Sequence, residues 1–281
     1  MPLTKLALIA LAGVHALVCQ AAPWRDLFSG KDLLGWDTYL AAPFGLNNDP
    51  KHVFNVVAED GAPAIRISGE IYGALTTQAE FTNFHLRLEC KWGEKRWPPR
   101  ENAPRDSGIF YCCQGPHGAA SGAWMRSVQC NIMETGIGQW WSVADTIVDV
   151  EGVRMTPEME TAVPYKKESK GEKVIVYKSG APQITADPAS CITPSFNNEK
   201  PRGQWNTVEV IFWSGHCLHV LNGRVNMVLS NPRYLDHGVV KPLLRAGKLQ
   251  LQSESAEIFF RNIQVQHIYE IPTEYRRLIS P

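Results

Sequence analysis

The sequence predicts an all-β protein: a two-sheet jelly-roll sandwich with long loops walling a concave face. Three observations carry this. About a dozen short segments are apolar or alternate apolar with polar residues, with turn residues between them. No window of about 12 residues carries a 3.6-residue apolar stripe. Turn formers are abundant, with 22 Gly and 19 Pro. Strands without intervening helices pack sheet on sheet rather than as βαβ units.

The elements follow in chain order. Residues 24–36 read as a short strand running into the Gly35-Trp36 turn. Residues 53–58 and 64–68 read as strands around Glu59-Asp60-Gly61, because Asp-Gly favours a tight hairpin turn. A strand at 73–78 follows. Residues 84–92 place Phe84, Leu86, Leu88 and Cys90 on one face and His85, Arg87, Glu89 and Lys91 on the other, as in a half-exposed strand. Residues 96–105 hold Pro98, Pro99 and Pro104 and read as a loop. Further strands are expected at 107–114, 127–134, 173–178, 205–213, 217–221, 224–229, 248–253 and 257–267. Residues 151–170 are the best candidate for a helical or irregular segment, interrupted by Pro157 and Pro164. Residues 180–201, rich in Pro and Asn, read as a long surface loop. With no repeat or linker in view, residues 23–281 read as one domain.

Charge excludes two classes. There are 28 Lys+Arg and 28 Asp+Glu, and the pI is about 7.1, so neither a strongly basic nucleic-acid surface nor a polybasic membrane patch is present. Residues 1–22 read as a secretory signal peptide: Lys5, then an apolar run over 6–18, then the small residues Ala21 and Ala22. The run falls short of the roughly 20 residues that span a bilayer. Export to the periplasm or the exterior is therefore expected. Lipid attachment at Cys19 is disfavoured because Val18 stands where a small residue is needed. Beyond the signal lie Cys90, Cys112, Cys113, Cys130, Cys191 and Cys217, with no CxxC spacing. No bridge is assigned, and Cys90, Cys130 and Cys217 read as small buried side chains. The histidines form no metal-binding pair, so any metal is unknown; a divalent cation assembled from distant strands stays open.

Five stretches, in order, resemble the 3-keto-disaccharide hydrolase domain family, once a domain of unknown function. They are Leu27-Phe28-Ser29-Gly30-Lys31-Asp32-Leu33 with Gly35-Trp36; Asp106-Ser107-Gly108-Ile109; the strand from Trp124 to Glu134; Gly203-Gln204-Trp205-Asn206 with Asn222-Gly223; and Leu249-Gln250-Leu251-Gln252-Ser253-Glu254 running on to Phe260-Arg261-Asn262-Ile263. The chain departs from the family pattern at Gln129 (usually Glu), Asn131 (usually Gln), Asp106 (usually Asn) and Ser255 (usually Gly). The resemblance implies a concanavalin-like or laminin-G-like jelly roll that cleaves 3-keto-glycosides or 3-keto-disaccharides.

That chemistry needs a base at C2, an acid for the leaving oxygen and an electrophile near the C3 ketone. Glu134 and Glu254 are the candidate acid and base, and Arg261 or a bound cation the electrophile. Gln250, Gln252 and Glu254 share one strand face, with Leu249 and Leu251 toward the core. Gln129 and Asn131 share another face, and amides suit sugar hydroxyls, which both donate and accept. Tyr111, Trp140, Trp141, His219 and Glu257 complete the candidate substrate-binding set, the Trp rings as stacking surfaces. Plainer alternatives stand beside these: Glu134 as a strand-end residue opening the Glu134-Thr135-Gly136 turn, Arg261 paired to Glu257, and the Trp rings as core. The tight Glu-x-Asp-x-x-Glu strand of jelly-roll glucanases is absent, as is a Gly-x-Ser-x-Gly elbow. A non-catalytic carbohydrate-binding module of the same fold is the alternative function. The oligomeric state is left open.

Overall fold

The computed structural model describes residues 21–159, 173–242 and 244–279. The signal-peptide expectation falls almost wholly outside the described residues. Among the described residues two sheets form, one of 14 strands and one of 7. The small sheet runs Arg126–Met133, Asp106–Gln114, Ala246–Ser253, Gly73–Thr77, Trp36–Leu40, Gly45–Leu46, with neighbours antiparallel. The centre of the large sheet runs Arg224–Asp236, His216–Leu221, Asn206–Trp213, Phe84–Arg96, Ala256–His267. The all-β two-sheet jelly roll is thus the observed fold.

The core lies between the sheets. Leu86, Leu88, Val208, Val210, Ile258 and Phe260 meet Ile109, Tyr111, Val128, Cys130, Leu249 and Leu251 there. The alternation read in residues 84–92 is present, but the strand continues to Arg96 and its polar face is covered. His85 contacts Glu209 at 2.7 Å, and Lys91 is held by Glu59 and Asp60. Ion pairing lets both side chains be largely buried. Two expected hairpins form for the expected reason. Asp60-Gly61 has φ of 50° and 76°, and Asn222-Gly223 has 50° and 77°, the left-handed pair that tight β-turns need.

Other expectations are corrected. Residues 180–201 are not one loop: Gln183–Ala186 and Ser190–Thr193 are strands, the second wholly buried. Pro and Asn flanks concealed the buried run Cys191-Ile192. The helical candidate at 151–170 opens instead inside the strand Thr146–Arg154, followed by a 3-10 turn at Pro157–Met159. Its remainder lies outside the described residues. The strand Trp36–Leu40, read only as a turn, pairs with Gly73–Thr77. All six described cysteines are free and buried. No described helix is long and apolar enough to cross a membrane.

A second, smaller cluster covers the side of the small sheet turned away from the core. Phe110, Cys113, Ala120, Ala123, Trp124, Met125 and Val143 form it. The segments that carry Ala120 and Val143 wall this face, and the pocket opens here.

Candidate active site

The pocket has a volume of about 370 Å³, within the range that holds a small ligand. Its floor is Gln129 and Asn131 from Arg126–Met133 and Gln252 from Ala246–Ser253, all almost fully buried. Strand alternation explains the arrangement: Val128, Cys130 and Leu251 point into the core, so the residues between them point out. The amides form a continuous run. Gln129 and Asn131 meet at 2.8 Å, Gln129 and Gln252 at 3.3 Å, and Gln252 touches Glu254. Gly108 lies against this run. A Cβ there would sit 2.7 Å from Gln252 Oε1 and 3.1 Å from Gln129 Nε2, so only glycine leaves the amides room.

Two carboxylates stand beside the run. Asp106 and Glu254 form an isolated β-bridge between their backbones, and both side chains line the pocket. Arg100 joins them. It donates from Nη2 to Asp106 Oδ2 at 3.0 Å, and its Nη1 lies 4.0 Å from Glu254 Oε1. Trp124, Phe110 and Trp141 supply aromatic wall, with Tyr72 stacked on Trp124 at 5.8 Å. Burial pushes the Tyr72 phenol up. Asp145 lines the pocket as a third, exposed carboxylate.

Of the residues expected from sequence, Glu254, Gln252, Gln129, Asn131 and Trp141 come together here. Gln250 does not line the pocket. Its Nε2 donates to Thr76 Oγ1 at 2.9 Å and its Oε1 accepts from Met125 N at 3.1 Å, which anchors the wall. The expected convergence of Glu134, Glu254, Glu257 and Arg261 does not occur. Arg261 pairs with Glu89 at 2.6 Å and lies over Trp205 at 3.9 Å, on the face of the large sheet turned from the core. Glu257, on that same face, pairs with Arg66 at 2.7 Å. The reason is a crossing between sheets. Gln250, Gln252 and Glu254 belong to the small sheet or its end, whereas Glu257 and Arg261 belong to the large one, and the chain turns at Ser255 with φ 55°. The departure at 255 therefore puts Ser where Gly would be least strained.

Glu134 ends its strand and closes on Arg105. Oε1 accepts from Arg105 Nη1 at 2.7 Å, and Oε2 from the Arg105 backbone N–H at 2.9 Å. Tyr111, His219 and Trp140 are core. His219 Nδ1–H donates to Gly138 O at 2.9 Å, so Nε2 accepts the Tyr111 hydroxyl at 2.9 Å. Burial pushes His219 down to about 4, so it is neutral. Trp140 is fully buried among core residues. Sequence reasoning missed Arg100, Asp106, Trp124, Tyr72 and Asp145 as site residues. Asp106 and Trp124 lay inside quoted motifs, but Arg100 sits in a proline-rich loop with no signal. Among the described residues, no three His, Cys, Asp or Glu side chains are placed to hold a metal ion.

A second pocket, of about 450 Å³, holds Glu134, Glu199, Trp92 and Arg202. Burial, with the Glu134 carboxylate nearby, pushes Glu199 up to about 7, against a 2.7 Å hydrogen bond from Thr135 N–H. The folded chain therefore keeps a proton that the unfolded chain releases near 4.5. Stability present below that value is lost as pH rises through about 7. Glu199→Gln is expected to flatten this part of a urea-denaturation profile. It should also raise stability above the folded value by on the order of 1 kcal/mol, discounted for partial exposure. A profile unchanged by the substitution would assign the slope to another group.

The fold and pocket define a jelly roll with an amide-floored, aromatic-walled cleft carrying paired carboxylates. The chain belongs to the 3-keto-alpha-glucoside-1,2-lyase-like domain family, a carbohydrate-related family whose model matches residues 23–266. No curated protein matches the chain. Among solved structures, two candidate glycosyl hydrolases from Parabacteroides distasonis are similar, each at 17% identity. One covers 88% of this chain and 100% of its own with a TM-score of 0.49; the other covers 87% and 94% with 0.46. The carbohydrate-binding module CBM66 from Bacillus subtilis is similar at 7% identity, covering 83% of this chain and 95% of its own, with a TM-score of 0.41.

Proposed function

We propose that the chain is an exported enzyme that cleaves the glycosidic bond of a 3-keto-glycoside in the amide-floored pocket. The observation that carries this reading is the pairing of Asp106 and Glu254 around Arg100 at the edge of that floor. A ketone at C3 acidifies the hydrogen on C2. One carboxyl group removes that proton, and the electron pair forms the C1–C2 double bond as the C1–O bond breaks. The other carboxyl group protonates the departing oxygen, and water then adds across the double bond. Arg100, in place of Arg261, is the guanidinium beside the two carboxyl groups; it does not itself line the pocket, and it orients Asp106. The buried amides supply donors and acceptors for ring hydroxyls, and Trp124 and Trp141 flank the ring faces.

Among the described residues three carboxyl groups line the pocket and no Lys, Arg or His does, which favours neutral sugars over acidic ones. The test is turnover of a 3-keto-disaccharide beside its unoxidised parent and a 3-keto-uronide, with and without EDTA. Only the keto sugars should react, and the uronide should have a kcat/KM roughly fivefold lower, since one like-charge contact at about 4 Å in water costs about 1 kcal/mol. Cleavage of the parent would favour ordinary hydrolysis. Loss of activity in EDTA would make a cation the electrophile. Saturable binding with no turnover would assign the chain to the carbohydrate-binding modules.

A further inference from the structure

Two segments wall the pocket, and they are held in different ways. The first, residues 120–124, is tied to the small sheet. Trp124 Nε1 donates to Gly73 O at 2.9 Å, and Met125 N donates to Gln250 Oε1 at 3.1 Å. The second runs through Trp141, Ser142, Val143, Ala144 and Asp145, all of which line the pocket. It holds no glycine, yet Ala144 and Asp145 have φ of 52° and 61°. Aspartate tolerates the left-handed region. Alanine enters it at a cost, because Cβ crowds the following carbonyl oxygen. Two such residues in succession persist only where the surroundings over-determine them, and such places cluster at ligand sites.

The backbone of this second wall is held at several points. Ser142 Oγ donates to Thr146 O at 2.6 Å, the Thr146 hydroxyl lies 2.7 Å from Val143 O, and Val143 forms an isolated bridge with Ser127. Leu235 N donates to Asp145 O at 2.9 Å. The carbonyl of the peptide that joins the two left-handed residues, Ala144 O, accepts from Arg126 Nε at 3.1 Å. The guanidinium carbon of Arg126 lies 4.0 Å from the centre of the Tyr234 ring. Stacking fixes the plane of the guanidinium and so aims its Nε–H. Arg126 opens the strand Arg126–Met133, where a bulge between Arg126 and Val128 bends the chain. Three residues further on, the same strand supplies Gln129 to the floor. Neither Arg126 nor Tyr234 lines the pocket.

We propose that Arg126, stacked on Tyr234, is a positioning residue that clamps residues 142–145 in their left-handed backbone and so sets the affinity of the pocket for its sugar. The clamp is a property of the free protein. Only its effect on sugar binding rests on the proposed function.

Amide hydrogen exchange on the free protein tests the clamp, and kinetics test its consequence. Arg126→Ala should speed exchange at residues 142–146 and at Leu235 by about fivefold, while residues 129–133 of the floor strand keep their protection. Arg126→Lys should behave as Arg126→Ala, because an ammonium cannot both stack on the ring and aim an Nε–H. With a 3-keto-disaccharide, KM should rise about fivefold in both variants, the worth of one hydrogen bond, with kcat little changed. Ala144→Gly separates fit from stability. Relief of the left-handed strain should raise its melting temperature by about 2 °C, while the freed wall raises KM. Unchanged exchange in Arg126→Ala, equal loss of protection in the floor strand, full recovery in Arg126→Lys, or an unmoved KM would overturn the proposal. A loosened wall in a protein that turns over no keto sugar would overturn the proposed reaction and leave the clamp.

Discussion

Glu254→Gln is expected to lower turnover of a 3-keto-glycoside by about 100- to 10,000-fold, the usual worth of a positioned acid or base. Folding should be unaffected. The glutamine side chain has the same shape, and its oxygen can accept from the Gln252 amide nitrogen as the carboxylate does. The loss should therefore appear in kcat, with KM little changed, because hydrogen bonding to the bound sugar is retained. Steady-state kinetics beside a thermal melt measure both. A variant that keeps full kcat would remove Glu254 from the chemistry and leave the pocket a binding site.

Glu134→Ala is expected to do the opposite. Arg105 is 3% exposed, and Glu134 engages it through both the guanidinium and the backbone N–H. Removing the carboxylate leaves a buried positive charge with only Glu94 O at 3.3 Å among its recorded guanidinium partners. Breaking such a pair costs about 3 kcal/mol, the lower end of the range because the Glu134 side chain is 23% exposed. The folded fraction should keep its activity. Urea denaturation and an activity assay at a temperature where the variant is folded separate the two effects. Loss of turnover without loss of stability would return Glu134 to the catalytic role its sequence position suggested.

These two glutamates show how far the sequence carries. Both end strands that alternate clearly, and both are flanked by polar residues, so both qualify as acid or base on local grounds. Alternation in each strand told which side chains face the core: Leu249 and Leu251 inward, Gln250, Gln252 and Glu254 outward, and Val128, Cys130 and Ile132 inward opposite Gln129 and Asn131. It did not tell which outward face meets which. Glu257 and Arg261 are only three and seven residues beyond Glu254, yet they lie on the far side of the sandwich, because the chain changes sheets at Ser255.

Burial was misjudged where it depends on distant covering. Trp140 looked like a sugar-stacking surface, and Tyr111 and His219 like substrate-binding residues. Each is sealed by strands or loops far away in sequence, as in the His219 bonds to Gly138 and Tyr111. Conversely, Arg100 lies in a loop whose sequence suggests only turns. It becomes part of the site because that loop folds back over the carboxylates of Asp106 and Glu254.

The sequence by itself determined the all-β class, the face each strand turns to the core, the hairpins at Asp60-Gly61 and Asn222-Gly223, and the family resemblance. All of these are properties of consecutive residues: a two-residue side-chain period, a local turn preference, an ordered set of short motifs. Only the tertiary structure decided that Asn131, Gln129, Gln252 and Glu254 form one run beside Asp106 and Arg100, and that Arg261 stands apart. That outcome depends on strand order across two sheets. Those contacts join residues up to about 150 positions apart, beyond the reach of any local pattern.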